Sequence, residues 1–230
     1  MWQTLQQELG EHGLTILAVA IDSDLSAVQE WAAHAPELTI LIDRDFVVAE
    51  KYGIVNVPAA VWIDENRRVV RPADTAMGDD RFRAFAHIDS SVHLNHLRAW
   101  VLRNERDIAD DAEVAALMER PTPELQLARL HRRIAVVLRD RGDLQGSRTH
   151  LAAATSLAPH DWVIRRGSMP MNDIDPFGNE FFAFVEEWAA AGSPGYRLRT
   201  GAERRDDETQ MTIPPSSSAA PPVPSAGADG

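Results

Sequence analysis

The chain has no cysteine in its 230 residues. That excludes disulfides, Cys-x-x-Cys redox chemistry and thiolate metal sites within these residues. Positive charge is also scarce: 35 acidic side chains face 23 basic ones, a formal net charge of -12. A chain of that balance lacks the basic face that supplies most nonspecific affinity for nucleic acid. No apolar run approaches the ~18 residues that suggest a membrane span. Residues 1–13 carry neither a basic leader nor an apolar core of signal-peptide type. There is no phosphate-cradling Walker loop, no GxGxxG and no GxSxG nucleophile elbow. The expectation from these absences is a cytoplasmic protein with no nucleic-acid or membrane partner, no cofactor and no metal.

What is present reads as an α/β pattern followed by helices. Trp2, Leu5 and Leu9 share a helical stripe, and Gly13 closes that helix. Leu14 to Ile21 is an apolar strand ending in Asp22-Ser23-Asp24, where Ser23 or Asp24 caps a helix carrying Leu25, Val28 and Trp31. Leu38 to Asp43 is a second apolar run. Phe46 to Tyr52 is a short helix stopped by Gly53. Pro58 then heads the run Ala59-Ala60-Val61-Trp62-Ile63, which lacks alternation, as in a strand covered on both faces. Asp64 to Arg67 forms a turn, and Arg68-Val69-Val70 completes a β-hairpin. This alternation predicts a parallel-rich sheet with helices on both faces.

The segments "ILAVAID" (16–22) and "LTILIDRDFVVAEKYGIVNVPAAVWIDENRRVV" (38–70) resemble the TlpA/ResA group of the thioredoxin-like superfamily, related to the AhpC/TSA thiol-redox proteins. The resemblance covers about residues 1–104. It implies an incomplete thioredoxin-like fold that lacks the first strand and the start of the first helix. It makes Pro58 the cis-proline of the site and gives Val57, just before it, the task of offering backbone groups to an extended substrate. Asp22 is a possible acid beside that site, and as a strand-end residue it equally suits a turn or a cap. No catalytic residue is available in the chain. The family's reactive thiol stands at the N-terminus of a helix that Met1 already lies within. The resemblance therefore implies a longer protein whose cysteine or selenocysteine precedes Met1. A selenocysteine codon read as a stop, a misplaced start and a redox-dead paralogue are the three accounts open at this point. The implied partners are a protein thiol or disulfide, or a peroxide. The other functional class open here is a non-catalytic protein-binding module on a redox-dead scaffold.

Residues 105–200 read as a helical domain. "LHRRIAVVLRDRGDLQGSRTHLAAATSLAPHDW" (130–162) resembles one tetratricopeptide unit, with Arg141-Gly142-Asp143 as its turn. Leu125, Ala128, Leu130, Ile134, Val137 and Leu138 are expected on one amphipathic face, and Leu144, Ala152, Ala153 and Leu157 on the facing helix. The unit is either a protein-docking surface or structural cover. Phe177, Phe181, Phe182, Val185 and Trp188 form a stripe expected to pack as core. Residues 201–230, rich in Pro, Ser, Ala and Gly, are expected to be a disordered tail. His93 and His96 are expected on a polar helix face, with His87 nearby. The pairs Arg132-Arg133 and Arg165-Arg166 are expected as solvated helix ends.

Overall fold

The structure is a computed structural model, and it describes residues 1–22, 24–76, 78–80, 89–108, 110–118, 120–192 and 194. Ser23, His87 and the tail at 201–230 lie outside the described residues. The fold is mixed α/β and mostly helical. In chain order the elements are α1 (Trp2–Leu9), β1 (Leu17–Ala20), α2 (Leu25–Ala33), β2 (Thr39–Ile42), α3 (Val47–Lys51), β3 (Ala59–Ile63) and β4 (Val69–Thr75). They continue with α4 (Ser90–Arg103), α5 (Asp111–Leu117), α6 (Pro123–Asp140), α7 (Leu144–Leu157), α8 (Trp162–Arg165) and α9 (Asn179–Ala190). The order read from the sequence holds, and the caps explain the boundaries. After α1 a 3-10 turn ends at Gly13, which sits at φ 92°, a left-handed geometry that glycine adopts without penalty. The Asp24 carboxylate accepts the Ser26 and Ala27 N–H groups and starts α2.

The single parallel-rich sheet is not what forms. β1 and β2 pair in parallel, with Leu17 opposite Thr39, while β3 and β4 pair antiparallel, with Ala59 opposite Thr75. Each pair is a separate two-stranded sheet. β1 and β3 therefore have a strand partner on one edge only among the described residues. The expectation that β3 is covered on both faces also fails, because only Trp62 is buried and Ile63 is exposed. Apolar side chains that a fuller sheet would cover face solvent. Leu17 and Ile42 are each more than half exposed, and Val19, Leu41 and Ile63 are exposed as well. On α2, Val28 is buried, but Leu25 and Trp31 are exposed.

One helix ties the two sheets together. Leu5 and Leu9 of α1 are almost fully buried, in a cluster with Trp62 of β3, Val70 of β4, and Leu94 and Leu97 of α4. On the same helix the Gln6 side chain donates to the Leu14 carbonyl, and its Oε1 accepts the Ile16 N–H at 2.7 Å. α1 thus holds the approach to β1 through a side-chain amide and the β3–β4 hairpin through leucines. Burying such a leucine is worth about 1.5–3 kcal/mol.

The helical hairpin is present, with its turn at Arg141–Asp143 as expected, but α6 faces inward along a different line. Ala128, Arg132, Ala135 and Val136 are buried, whereas Leu130, Ile134 and Val137 are exposed. Both faces of α6 are apolar enough to pack, and Arg132 decides between them. Its guanidinium donates to the Asp45 and Gly167 carbonyls and lies 4.6 Å from the centre of the Phe46 ring. On α7, Leu151 and Ala154 are buried and Leu144 is exposed. In α9, Phe184, Val185 and Trp188 pack on Trp162 and Met169. Phe177, expected in that stripe, is 66% exposed.

Candidate functional site

The loop that carries Val57 and Pro58 is built from the strand end before it. The Asp43 carboxylate, itself buried, accepts the N–H groups of Val47, Val48 and Ala49 at 2.7–2.9 Å. These are orphan donors of the first turn of α3, and the carboxylate fixes where that helix begins. Gly53, at φ 66°, then turns the chain out of α3. Val55 packs against the aromatic cluster of Trp162, Phe184 and Trp188, which pins the loop from behind. The Val57–Pro58 peptide bond is cis. Pro58 has no N–H to give, and its carbonyl accepts the Ala76 N–H at 3.1 Å, closing the head of the hairpin.

Val57 is half exposed and Pro58 is exposed. Neither the N–H nor the carbonyl of Val57 has a hydrogen-bond partner among the described residues. Immediately after it runs the edge of β3 that β4 does not occupy. The arrangement can accept an extended segment, because backbone groups without a partner among the described residues precede an open strand edge directly in the chain. It cannot perform nucleophilic chemistry by itself, since no thiol is present. Asp22 is exposed two residues beyond β1. No hydrogen bond or ion pair joins it to Val57 or Pro58 among the described residues, and the cap of α2 is its neighbour Asp24.

A cleft of about 440 Å³ opens at the other end of the hairpin, lined by Asp64, Arg68, Trp100, Arg106 and Asp111. Five residues of β3, about 16 Å of extended chain, separate it from Pro58. It is a polar hollow beside the hairpin turn, apart from the proline site.

The histidines and arginines singled out by sequence have structural places. His93 is buried edge-on between Trp2 and Trp62, not on a polar face, and His96 Nδ1 lies 3.4 Å from Asp107. Asp107 also pairs with the fully buried Arg71, at 2.9 Å, and Arg71 sits 5.0 Å from the centre of the Trp62 ring. No trio of His, Asp or Glu side chains forms a metal cage among the described residues. Arg132 and Arg133 lie inside α6 and not at a helix end, whereas Arg165 and Arg166 do close α8, each with a side-chain partner. Arg133 bonds Glu50 at 2.8 Å, Arg165 bonds Glu187, and Arg166 lies over Phe177 and Phe181. Arg132 is 4% exposed, and burial pulls its guanidinium down to about 10, against the opposing pull of Asp45 and Glu50. It anchors α6 to the segment that precedes the proline loop.

Reading from sequence missed the buried Asp43 and Arg132, which position that segment. Asp43 was readable as a strand-end acid four residues before a helix. Arg132 gave no signal, because an arginine in a basic run ordinarily marks a solvated face. Compared with protein-family models, curated proteins and solved structures, the chain has no significant match to any of them.

Proposed function

We propose that the chain is the greater part of a thioredoxin-like, TlpA/ResA-type thiol–disulfide oxidoreductase or peroxide reductase, whose reactive cysteine or selenocysteine stands on a strand–helix segment outside these 230 residues. One observation carries the reading. Among the described residues each two-stranded sheet leaves the outer edge of both its strands unpaired, β1 and β3 included, while α1 holds both sheets and apolar side chains remain uncovered on them. Unpaired edges bearing exposed Leu, Val and Ile are an aggregation liability that proteins normally cover. In this reading the missing strand lies between β1 and β3 and pairs one edge of each. The free backbone of Val57 beside Pro58 suits a substrate peptide laid along the site. In this reading the thiolate or selenolate forms a bond to one sulfur of a substrate disulfide and expels the other as a thiolate.

The test is intact-mass measurement and thiol or selenol alkylation on the protein isolated from its native cell. The expected result is a species heavier than the 230-residue chain, with an alkylated residue on the added segment. Residues 1–230 alone are expected to show no disulfide-reductase turnover with insulin as substrate. A native species of just these residues, with no reactive thiol, overturns the reading. That outcome leaves the second one, a non-catalytic binding module, which the exposed line Leu127, Leu130, Ile134 and Val137 on α6 favours.

A further inference from the structure

The helical hairpin brings two histidines together that sequence reading passed over. His131 of α6 and His150 of α7 face each other with their Nδ1 atoms 2.9 Å apart. Their ring centroids are 5.0 Å apart and their planes are inclined by 37°. Both rings are half-buried between the helices. Without a metal this is an imidazole–imidazole hydrogen bond, in which one Nδ1–H donates to the lone pair of the other. One turn earlier on α7, Ser147 is 2% exposed, and its Oγ has no hydrogen-bond partner among the described residues.

We propose that His131 and His150 form a two-imidazole chelate, spanning α6 and α7, for a divalent transition-metal ion of tetragonal preference, Cu²⁺ or Ni²⁺. Neutral imidazole is the form that binds metal, and the pair presents two such nitrogens at one place. Two metal–nitrogen bonds of about 2.0–2.1 Å that meet at a right angle put the nitrogens about 2.9 Å apart; a tetrahedral angle needs about 3.4 Å. The present 2.9 Å is the length of the hydrogen bond itself, so the preference for Cu²⁺ or Ni²⁺ rests on the ligands: two imidazole nitrogens completed by water, with divalent-metal affinity peaking at Cu²⁺. At present one Nδ1–H is directed at the Nδ1 lone pair of the other ring. For binding, the donor imidazole shifts its proton from Nδ1 to Nε2, so that both rings stay neutral with Nδ1 free, and each ring swings until both nitrogens aim at a common point. No third His, Asp or Glu converges there among the described residues, so water fills the remaining positions. The unpartnered Ser147 hydroxyl lies on the same helix face, suited to hydrogen-bond such a water. The bound ion links the two helices of the hairpin, so it stabilises the folded state by mass action.

The test is calorimetric titration of the full 230-residue chain with CuCl₂, NiCl₂ and ZnCl₂, alongside electron paramagnetic resonance of the Cu²⁺-loaded protein. The expected result is one site, tightest for Cu²⁺, with a resonance signature of two imidazole nitrogens. His131→Gln and His150→Gln are each expected to lose at least about tenfold in affinity, since even the loss of a partner behind a ligand costs about that much. His34→Gln, at the exposed end of α2, serves as the control and is expected to change nothing. The resonance signature needs no variant, so it decides the matter even if a substitution unfolds the hairpin. Binding that survives either substitution, a signature without two imidazole nitrogens, or no binding of Cu²⁺ or Ni²⁺ overturns the proposal. Zn²⁺ held as tightly as Cu²⁺ overturns the tetragonal assignment.

Discussion

The strands of residues 17–63 and the hairpin α6–α7 are both incomplete, but in different ways. A helix satisfies its own backbone, so the exposed outer face of α6 leaves only side chains open: Leu127, Leu130, Ile134 and Val137. A strand satisfies its backbone only through neighbours, so among the described residues β1 and β3 leave side chains and hydrogen-bonding groups open together. An open helix face asks for any apolar cover. An open strand edge asks for another strand in register. The comparison therefore assigns the more specific need to the strand half, and the more permissive surface to the helical half.

The largest test of that contrast is Leu9→Ala. Leu9 is fully buried in the cluster that joins α1 to Trp62 and Val70. The expected cost is about 2–5 kcal/mol, measured by urea unfolding, with amide exchange accelerated first in β3 and β4. Loss confined to the helical half would break the assignment of α1 as the tie between the sheets. Arg132→Met comes next. It strands the Asp45 and Gly167 carbonyls and is expected to cost about 1–3 kcal/mol. The pH dependence of that difference has a definite sign. Burial lowers Arg132 to about 10 in the folded state, below its unfolded value, so above about 10 the unfolded state binds more protons. Wild-type stability relative to the variant should rise as pH climbs through about 10, in paired denaturation series.

Acid separates the halves less strongly. Glu8 is held below its usual value by Arg98, and Glu187 by Arg165. A lowered carboxylate contributes stability that is present above its unfolded value and lost as pH falls through the folded one. The window therefore lies at and below about pH 4. Arg98→Gln should flatten the acid response of the strand half and Arg165→Gln that of the helical half, read by amide exchange at low pH. The smallest effect on stability belongs to Ile42→Thr. Ile42 is 52% exposed, so the change should stay within about 0.5 kcal/mol, yet reduce self-association in sedimentation velocity. Unchanged association would show that this sheet face is not sticky.

The elements were largely legible from local signals. The Arg141–Asp143 turn, the Gly13 and Gly53 stops and the Asp24 cap all act within a few residues, where sequence pattern and geometry coincide. Sheet assembly was not legible, because an apolar run announces a strand without saying how many neighbours it has. The inward face of α6 was hidden for a different reason: the line through Ala128 and Ala135 competes with the line through Leu130 and Ile134, and Arg132 tips the choice through partners 87 and 35 residues away. At the candidate site, the cis bond before Pro58 agrees with the pattern that pointed to it, while the packing of Val55 on the Trp162 cluster crosses more than a hundred residues.

The tryptophans give each half its own optical signature. Trp62 and Trp100 lie stacked, 5.3 Å between ring centres and 10° from parallel, beside the strand hairpin. Trp162 and Trp188 meet edge to face, 5.2 Å apart and 82° from parallel, in the helical half. Indoles at such distances couple their electronic transitions, and the sign and strength of the resulting dichroism depend on their mutual angle. Two pairs at such different angles should give separable bands, so one spectrum followed through a melt reports whether the halves come apart together or in turn.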